Sequence, residues 1–129
     1  MEDWKKECVQ TEKAPAAVGP YSQAIAIGNL IFTSGQLPLI AETGEMPESV
    51  VEQTRASLNN IKAILDEAGS DMSQVIKTTV FMTELEFFSD MNEVYASFFA
   101  HGELPARSCF QVARLPKGAK VEIEVVARR

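Results

Sequence analysis

The chain closes on two runs that alternate with a period of two, the period of a β-strand. In residues 106–129, "ARSCFQVARLPKGAKVEIEVVARR", Arg107, Cys109 and Gln111 share one side of an extended segment, with Ser108, Phe110 and Val112 on the other. Beyond "LPKGAK", Glu122 and Glu124 alternate with Val121, Ile123 and Val125. Strands of this kind must join a sheet, and one side of that sheet must be covered.

The rest of the chain supplies the neighbours and the cover. "AIAIGNLIFTSG" reads as a hairpin around Gly28 and Asn29, a pair that tolerates positive φ. After a turn-rich loop, residues 48–68 place Val51, Thr54, Leu58, Ile61, Leu65 and Ala68 at steps of three and four, an amphipathic helix stopped by Gly69. "SQVIKTTVFMT" is β-branched and unbroken, so a strand is expected at 74–83. A second helix is expected from Ser89 as N-cap, turning Met91, Val94, Tyr95 and Phe98 inward before Gly102 and Pro105. The order β-β-α-β-α-β-β predicts one α+β domain over residues 1–129, a two-layer sandwich with two helices on one face of a mixed sheet. The opposite face either meets water or meets another copy.

At 129 residues and 46% hydrophobic content, one core is the expectation. A net charge of -6 disfavours nucleic acid as a partner. No apolar run reaches the roughly 20 residues of a membrane span, and the acidic, polar opening lacks a signal-peptide core, so a cytoplasmic protein with reduced Cys8 and Cys109 is expected.

Few residues invite chemistry. The single His101, beside Gly102, reads as a solvated or capping residue, and two cysteines with one histidine make a zinc site of those ligands improbable. The glycines are too dispersed for a phosphate-binding fingerprint. "SGQ" at 34–36 fits either a turn or a place where Gly35 lets a ligand approach the main chain; Ser34 has no obvious base to activate it. Arg107 fits a surface ion pair or a bidentate carboxylate clamp. Cys109 fits a small buried apolar role. Glu122 could act as general base or acid if its surroundings raise its pKa, and Glu124 looks equally suited.

Taken together, "APAAVGPYSQA" (14–24), "TSGQ" (33–36), "IKTTVF" (76–81), "MNEVYASFF" (91–99) and "PARSCFQVARLPKGAKVEIEVVA" (105–127) resemble the reactive intermediate deaminase (Rid, or YjgF) family of 2-iminobutanoate/2-iminopropanoate deaminases. The resemblance runs from about residue 9 to the C-terminus. It implies a chorismate mutase-like fold assembled as a homotrimer, with ligand clefts between neighbouring subunits, and hydrolysis of 2-imino acids to 2-keto acids and ammonia without a cofactor or metal.

By motif, the resemblance makes Arg107 the carboxylate anchor, Tyr21 the aromatic wall and Glu122 the residue that steers water. Ser34, Gly35, Asn92 and Cys109 become cleft positions, Cys109 through its main chain rather than its thiol. Glu124 has no counterpart and is expected in solvent. Gln111 departs from the Glu of many relatives, and "FMTELEFFSDMN" sets Phe87 and Phe88 at the expected cleft rim. The alternative function is a non-catalytic trimer that senses small keto acids or related carboxylates through Arg107.

Overall fold

The computed structural model describes residues 4–129; the start of the polar lead, Met1 to Asp3, lies outside the described residues. The elements are β1 (Glu7–Val9), β2 (Ala24–Ile27), β3 (Leu30–Thr33), α1 (Val50–Glu67), β4 (Val75–Met82), α2 (Phe88–Phe98), β5 (Ala106–Gln111) and β6 (Val121–Arg128). The strands form one sheet in the order β1-β2-β3-β6-β4-β5, in which only the β4–β5 pair is parallel. The expected α+β layering is present, with one strand more than the sequence reading gave. β1 lies inside the polar lead and buries only Val9, so no alternation marks it; its pairing with Ala24 to Ala26 defines it.

The last strand in sequence is central in space. β6 enters between β3 and β4, antiparallel to both, so the two crossovers through α1 and α2 each return to a strand of the same direction. Its Val121, Ile123 and Val125 are almost wholly buried with Val80 and Met82 of β4, against Ile61, Ile64 and Leu65 of α1 and Met91 and Tyr95 of α2. The opposite face carries the side chains left over by alternation, among them Phe32 and Phe110, 44% and 53% exposed. A register shift at Val75/Lys77 leaves Ile76 as an outward bulge.

Helix α1 starts as its sequence suggests, with Ser49 Oγ accepting from the Glu52 N–H at 3.1 Å, and stops before Gly69 at φ 81°. Its buried face is wider than a single stripe, since Gln53 and Asn60 are buried as well and bond the loop that precedes it. Asn60 Nδ2 donates to the Leu37 and Leu39 carbonyls, and Gln53 Nε2 donates to the Pro47 carbonyl. Helix α2 corrects an expectation: Ser89 is not its N-cap. The chain enters from a 3-10 turn over Leu85–Phe87, Phe87 occupies the cap position without a side-chain bond, and Ser89 is already inside the helix. The turn supplies the first partners, since the Phe87 and Phe88 N–H groups donate to the Glu84 and Leu85 carbonyls.

The N-terminal segment is held by one buried amide. Gln23 Oε1 accepts from the Thr11 N–H at 2.8 Å, and its Nε2 donates to the Thr11 and Pro15 carbonyls at 3.1 and 2.8 Å. Replacing Gln23 by Ala strips these groups of partners inside the protein, and a loss of about 2 kcal/mol in unfolding free energy is expected by urea denaturation. A change below about 0.5 kcal/mol would show that water replaces the amide without cost.

Candidate active site

The residues singled out in the sequence gather into two clusters on opposite sides of the sheet. Phe81 of β4 pairs with Phe110 of β5 and with Glu122 of β6, so these three side chains share the face that the helices leave open. Thr78 pairs with Arg107 and with Val125, which places Arg107 on the helical face. Strand alternation thus separates Arg107 from Glu122 by the thickness of the sheet. The first cluster comprises Arg107, Asn92 and Cys109; the second comprises Tyr21, Ser34, Gly35 and Glu122.

Arg107 is exposed but held. Its Nη1 donates to Asn92 Oδ1 at 2.6 Å, and its guanidinium carbon lies 4.7 Å from the Tyr95 ring centre and 5.3 Å from that of Phe88. Phe88, Asn92 and Tyr95 stand at i, i+4 and i+7 on α2, one face of a helix. With Nη1 engaged, Nη2 and Nε remain as a planar fork for a carboxylate. Phe88 thus stands beside Arg107, and both Phe87 and Phe88 are half-buried against the core.

Cys109 lies two residues along the same strand. Burial pushes its thiol pKa up and Arg107 offsets only part of that, so the thiol keeps its proton at neutral pH. Its main chain is better placed than its sulfur. β5 is an edge strand, and the Val112 N–H bonds inward to the Met82 carbonyl. Since backbone groups alternate along a strand, the N–H and C=O of Cys109 point to the free edge. Gln111 closes this side, its Oε1 accepting from the Leu85 N–H at 3.0 Å.

The second cluster is assembled by a single bridge. The Gln36 N–H donates to the Ile123 carbonyl at 2.7 Å, and the Ile123 N–H donates back at 3.3 Å, which lays the 34–36 turn against β6. Gly35 then sits on the Glu122 carboxylate: a methyl group at Gly35 would stand 2.9 Å from Glu122 Cδ and Oε2. Here a glycine is required by close approach, not by its φ. Ser34 Oγ donates to the Ser22 carbonyl at 2.6 Å, so its hydroxyl orients the turn and can still accept a bond. Tyr21 folds back over Gly19, whose φ is 147°, and the residue is 51% exposed.

These side chains line an open cleft of about 820 Å³, walled by Leu37 and Ile40 from the loop that α1 anchors. Glu122 is half-buried in it. Burial raises its pKa above the ordinary carboxylate value, and the neighbouring charge of Glu124 raises it further. Glu124 is therefore not the solvated bystander the sequence suggests: it is half-buried, lines the same cleft and acts on Glu122. Alternation alone could have indicated this, since positions 122 and 124 necessarily share a face. Periodicity marks Tyr95 only as a core residue, and its contact with Arg107 depends on the register between α2 and β5. His101 is exposed, as expected.

Comparison with known proteins identifies the family and the fold. The profile of the family described as endoribonuclease L-PSP matches residues 11–129. This chain belongs to the L-PSP/YjgF family. It is 50% identical over 123 residues to the 2-iminobutanoate/2-iminopropanoate deaminase of Escherichia coli K12, spanning 94% of this chain and 96% of that protein. The crystal structure of E. coli TdcF with bound serine superposes with a TM-score of 0.93 at 49% identity, covering 95% of this chain and 98% of the other. That of the E. coli yjgF gene product also gives 0.93, at 48% identity over the same shares.

Within this L-PSP/YjgF chain, the raised pKa of Glu122 makes a stability prediction. Its carboxyl binds a proton more tightly in the folded state than in the unfolded chain. It therefore favours folding below the unfolded pKa of about 4, and that contribution is lost as pH rises through the folded value. Glu122→Gln does not titrate. At fixed protein concentration its unfolding free energy should gain on wild type as pH rises from about 4, with no further gain once Glu122 is ionised. A wild-type-minus-variant difference constant from pH 3.5 to 8 would contradict the burial of this carboxyl.

Proposed function

We propose that this chain hydrolyses reactive 2-imino acids, such as 2-iminobutanoate and 2-iminopropanoate, to 2-keto acids and ammonia. The site is a cleft between two copies: one supplies Arg107, Asn92 and the Cys109 main chain, and its neighbour supplies Tyr21, Ser34, Gly35 and Glu122. The observation that carries this reading is the separation of the two clusters on opposite sheet faces, each chemically incomplete alone. The uncovered face, with Phe32 and Phe110 exposed, supports packing against further copies. A homotrimer, as the family resemblance implies, would give three such clefts. The identity to a protein named as a deaminase of these two imines supports the substrate class.

The chemistry follows from the groups present. The substrate carboxylate pairs with the free fork of Arg107, and the imine nitrogen meets the main chain at Cys109. Glu122, as carboxylate, takes a proton from water while the oxygen bonds to the C2 carbon of the protonated imine and the C=N electron pair moves to nitrogen, giving a neutral carbinolamine. Glu122 returns that proton to the nitrogen, the C–N bond breaks with its electron pair leaving on ammonia, and the hydroxyl passes its proton to Glu122 as the keto group forms. A pKa raised above the ordinary carboxylate value makes Glu122 a stronger base than a solvated carboxylate and helps it hold the proton that it later returns. Cys109 needs no thiolate, and Ser34 needs no base.

The family description also names an endoribonuclease, but a net charge of -6 gives no general attraction for phosphate backbones.

The test couples this protein to a threonine dehydratase and traps residual 2-iminobutanoate with semicarbazide. Wild type and Cys109→Ala should both suppress the trapped adduct. Arg107→Ala should lose about 2 to 4 kcal/mol of substrate stabilisation, roughly 30- to 1000-fold in kcat/KM. Equal losses in Arg107→Ala and Cys109→Ala would sink the assignment. An intact oligomer that binds 2-ketobutyrate without suppressing the adduct would instead mark a keto acid sensor.

A further inference from the structure

We infer that Tyr95 and Phe88 are positioning residues that hold the Arg107 guanidinium ready for a carboxylate before any ligand arrives. The inference rests on the reading of Arg107 as the carboxylate anchor. A free arginine on an exposed strand edge carries about 2 kcal/mol of rotamer entropy, and binding a ligand with it must overcome that freedom. In this protein the freedom is removed from three directions. The Tyr95 ring lies 4.7 Å from the guanidinium carbon, the Phe88 ring lies 5.3 Å from it, and Asn92 Oδ1 fixes Nη1 at 2.6 Å.

The more buried ring is itself fixed. Tyr95 is 5% exposed, its hydroxyl shares a 2.8 Å hydrogen bond with Thr78 Oγ1, and its ring lies 4.6 Å from that of Phe99. Thr78 is fully buried and is the register partner of Arg107 across β4 and β5. The contacts therefore close a loop: β4 holds Tyr95 through Thr78, Tyr95 holds the Arg107 side chain, and the β4–β5 pairing holds the Arg107 main chain. An aromatic core residue with a hydroxyl would satisfy packing anywhere on α2. Placed opposite Arg107 with its hydroxyl tied to the paired strand, it also fixes the ring plane on which the guanidinium rests.

The experiment reads order and affinity separately. In ligand-free wild type, the Arg107 Nε–H order parameter from side-chain 15N relaxation should be near about 0.8, close to rigid backbone. It should fall below about 0.6 in Phe88→Leu and in Tyr95→Leu. Phe88→Leu is the safer variant, because Phe88 is only partly buried, whereas Tyr95 belongs to the core. 2-Ketobutyrate binding measured by calorimetry should weaken roughly three- to tenfold in the same variants, as expected for coupled neighbours. Folded variants in which Arg107 stays ordered, or loses order without any change in affinity, overturn the inference. Wild type with Arg107 ordered and no binding of 2-ketobutyrate overturns instead the anchor reading on which it rests.

Discussion

The pairing of β4 with both β5 and β6 is the constraint from which the rest of the molecule follows. Because strand side chains alternate, one register decides which residues enter the core and which remain for chemistry. Val80 and Ile123 go inward together, and Phe81, Phe110 and Glu122 go outward together. A slip of one residue would bury Glu122 and expose Ile123, so the packing energy that selects the register also fixes the site geometry. Arg107 lands on the helical face by the same rule, beside α2 and at the uncovered edge of the sheet.

Each cluster depends on a different economy of polar groups. Around Arg107 the cation is shared between two rings and an amide, which limits its motion without neutralising it by a carboxylate. Around Glu122 the carboxylate meets burial, a glycine that leaves it room, and the like charge of Glu124. A base strengthened by its surroundings and a cation kept unpaired are complementary, and neither is useful to the other within one chain. In the proposed shared cleft, that division gives the exposed aromatic face a chemical reason to be covered by another copy as well as a hydrophobic one.

Much of this was legible from residue order. The hairpin at Gly28 and Asn29, both helices and the closing strands follow from periodicity and turn chemistry, and motif resemblance supplies the candidate site residues. What was missed depended on contacts between distant segments. β1 has too few buried positions to announce itself and exists through pairing with β2. Ser89 satisfies the local rule for an N-cap, but the preceding 3-10 turn already supplies the partners. No motif claims Glu124, which leaves it to solvent by resemblance, although its spacing from Glu122 places both on one face. Tyr95 reads as core by period, and only the approach of α2 to β5 reveals what its ring supports.

The claim that each site is built from two copies is tested most directly by complementation. Arg107→Ala and Glu122→Gln would be unfolded together, refolded as mixed oligomers and assayed for removal of 2-iminobutanoate. If clefts join the Arg107 side of one copy to the Glu122 side of the next, random assortment in a ring leaves about one quarter of clefts with both native halves, and about that share of wild-type activity should return. Mixed oligomers that recover no more activity than the two parents would contradict a site shared between copies.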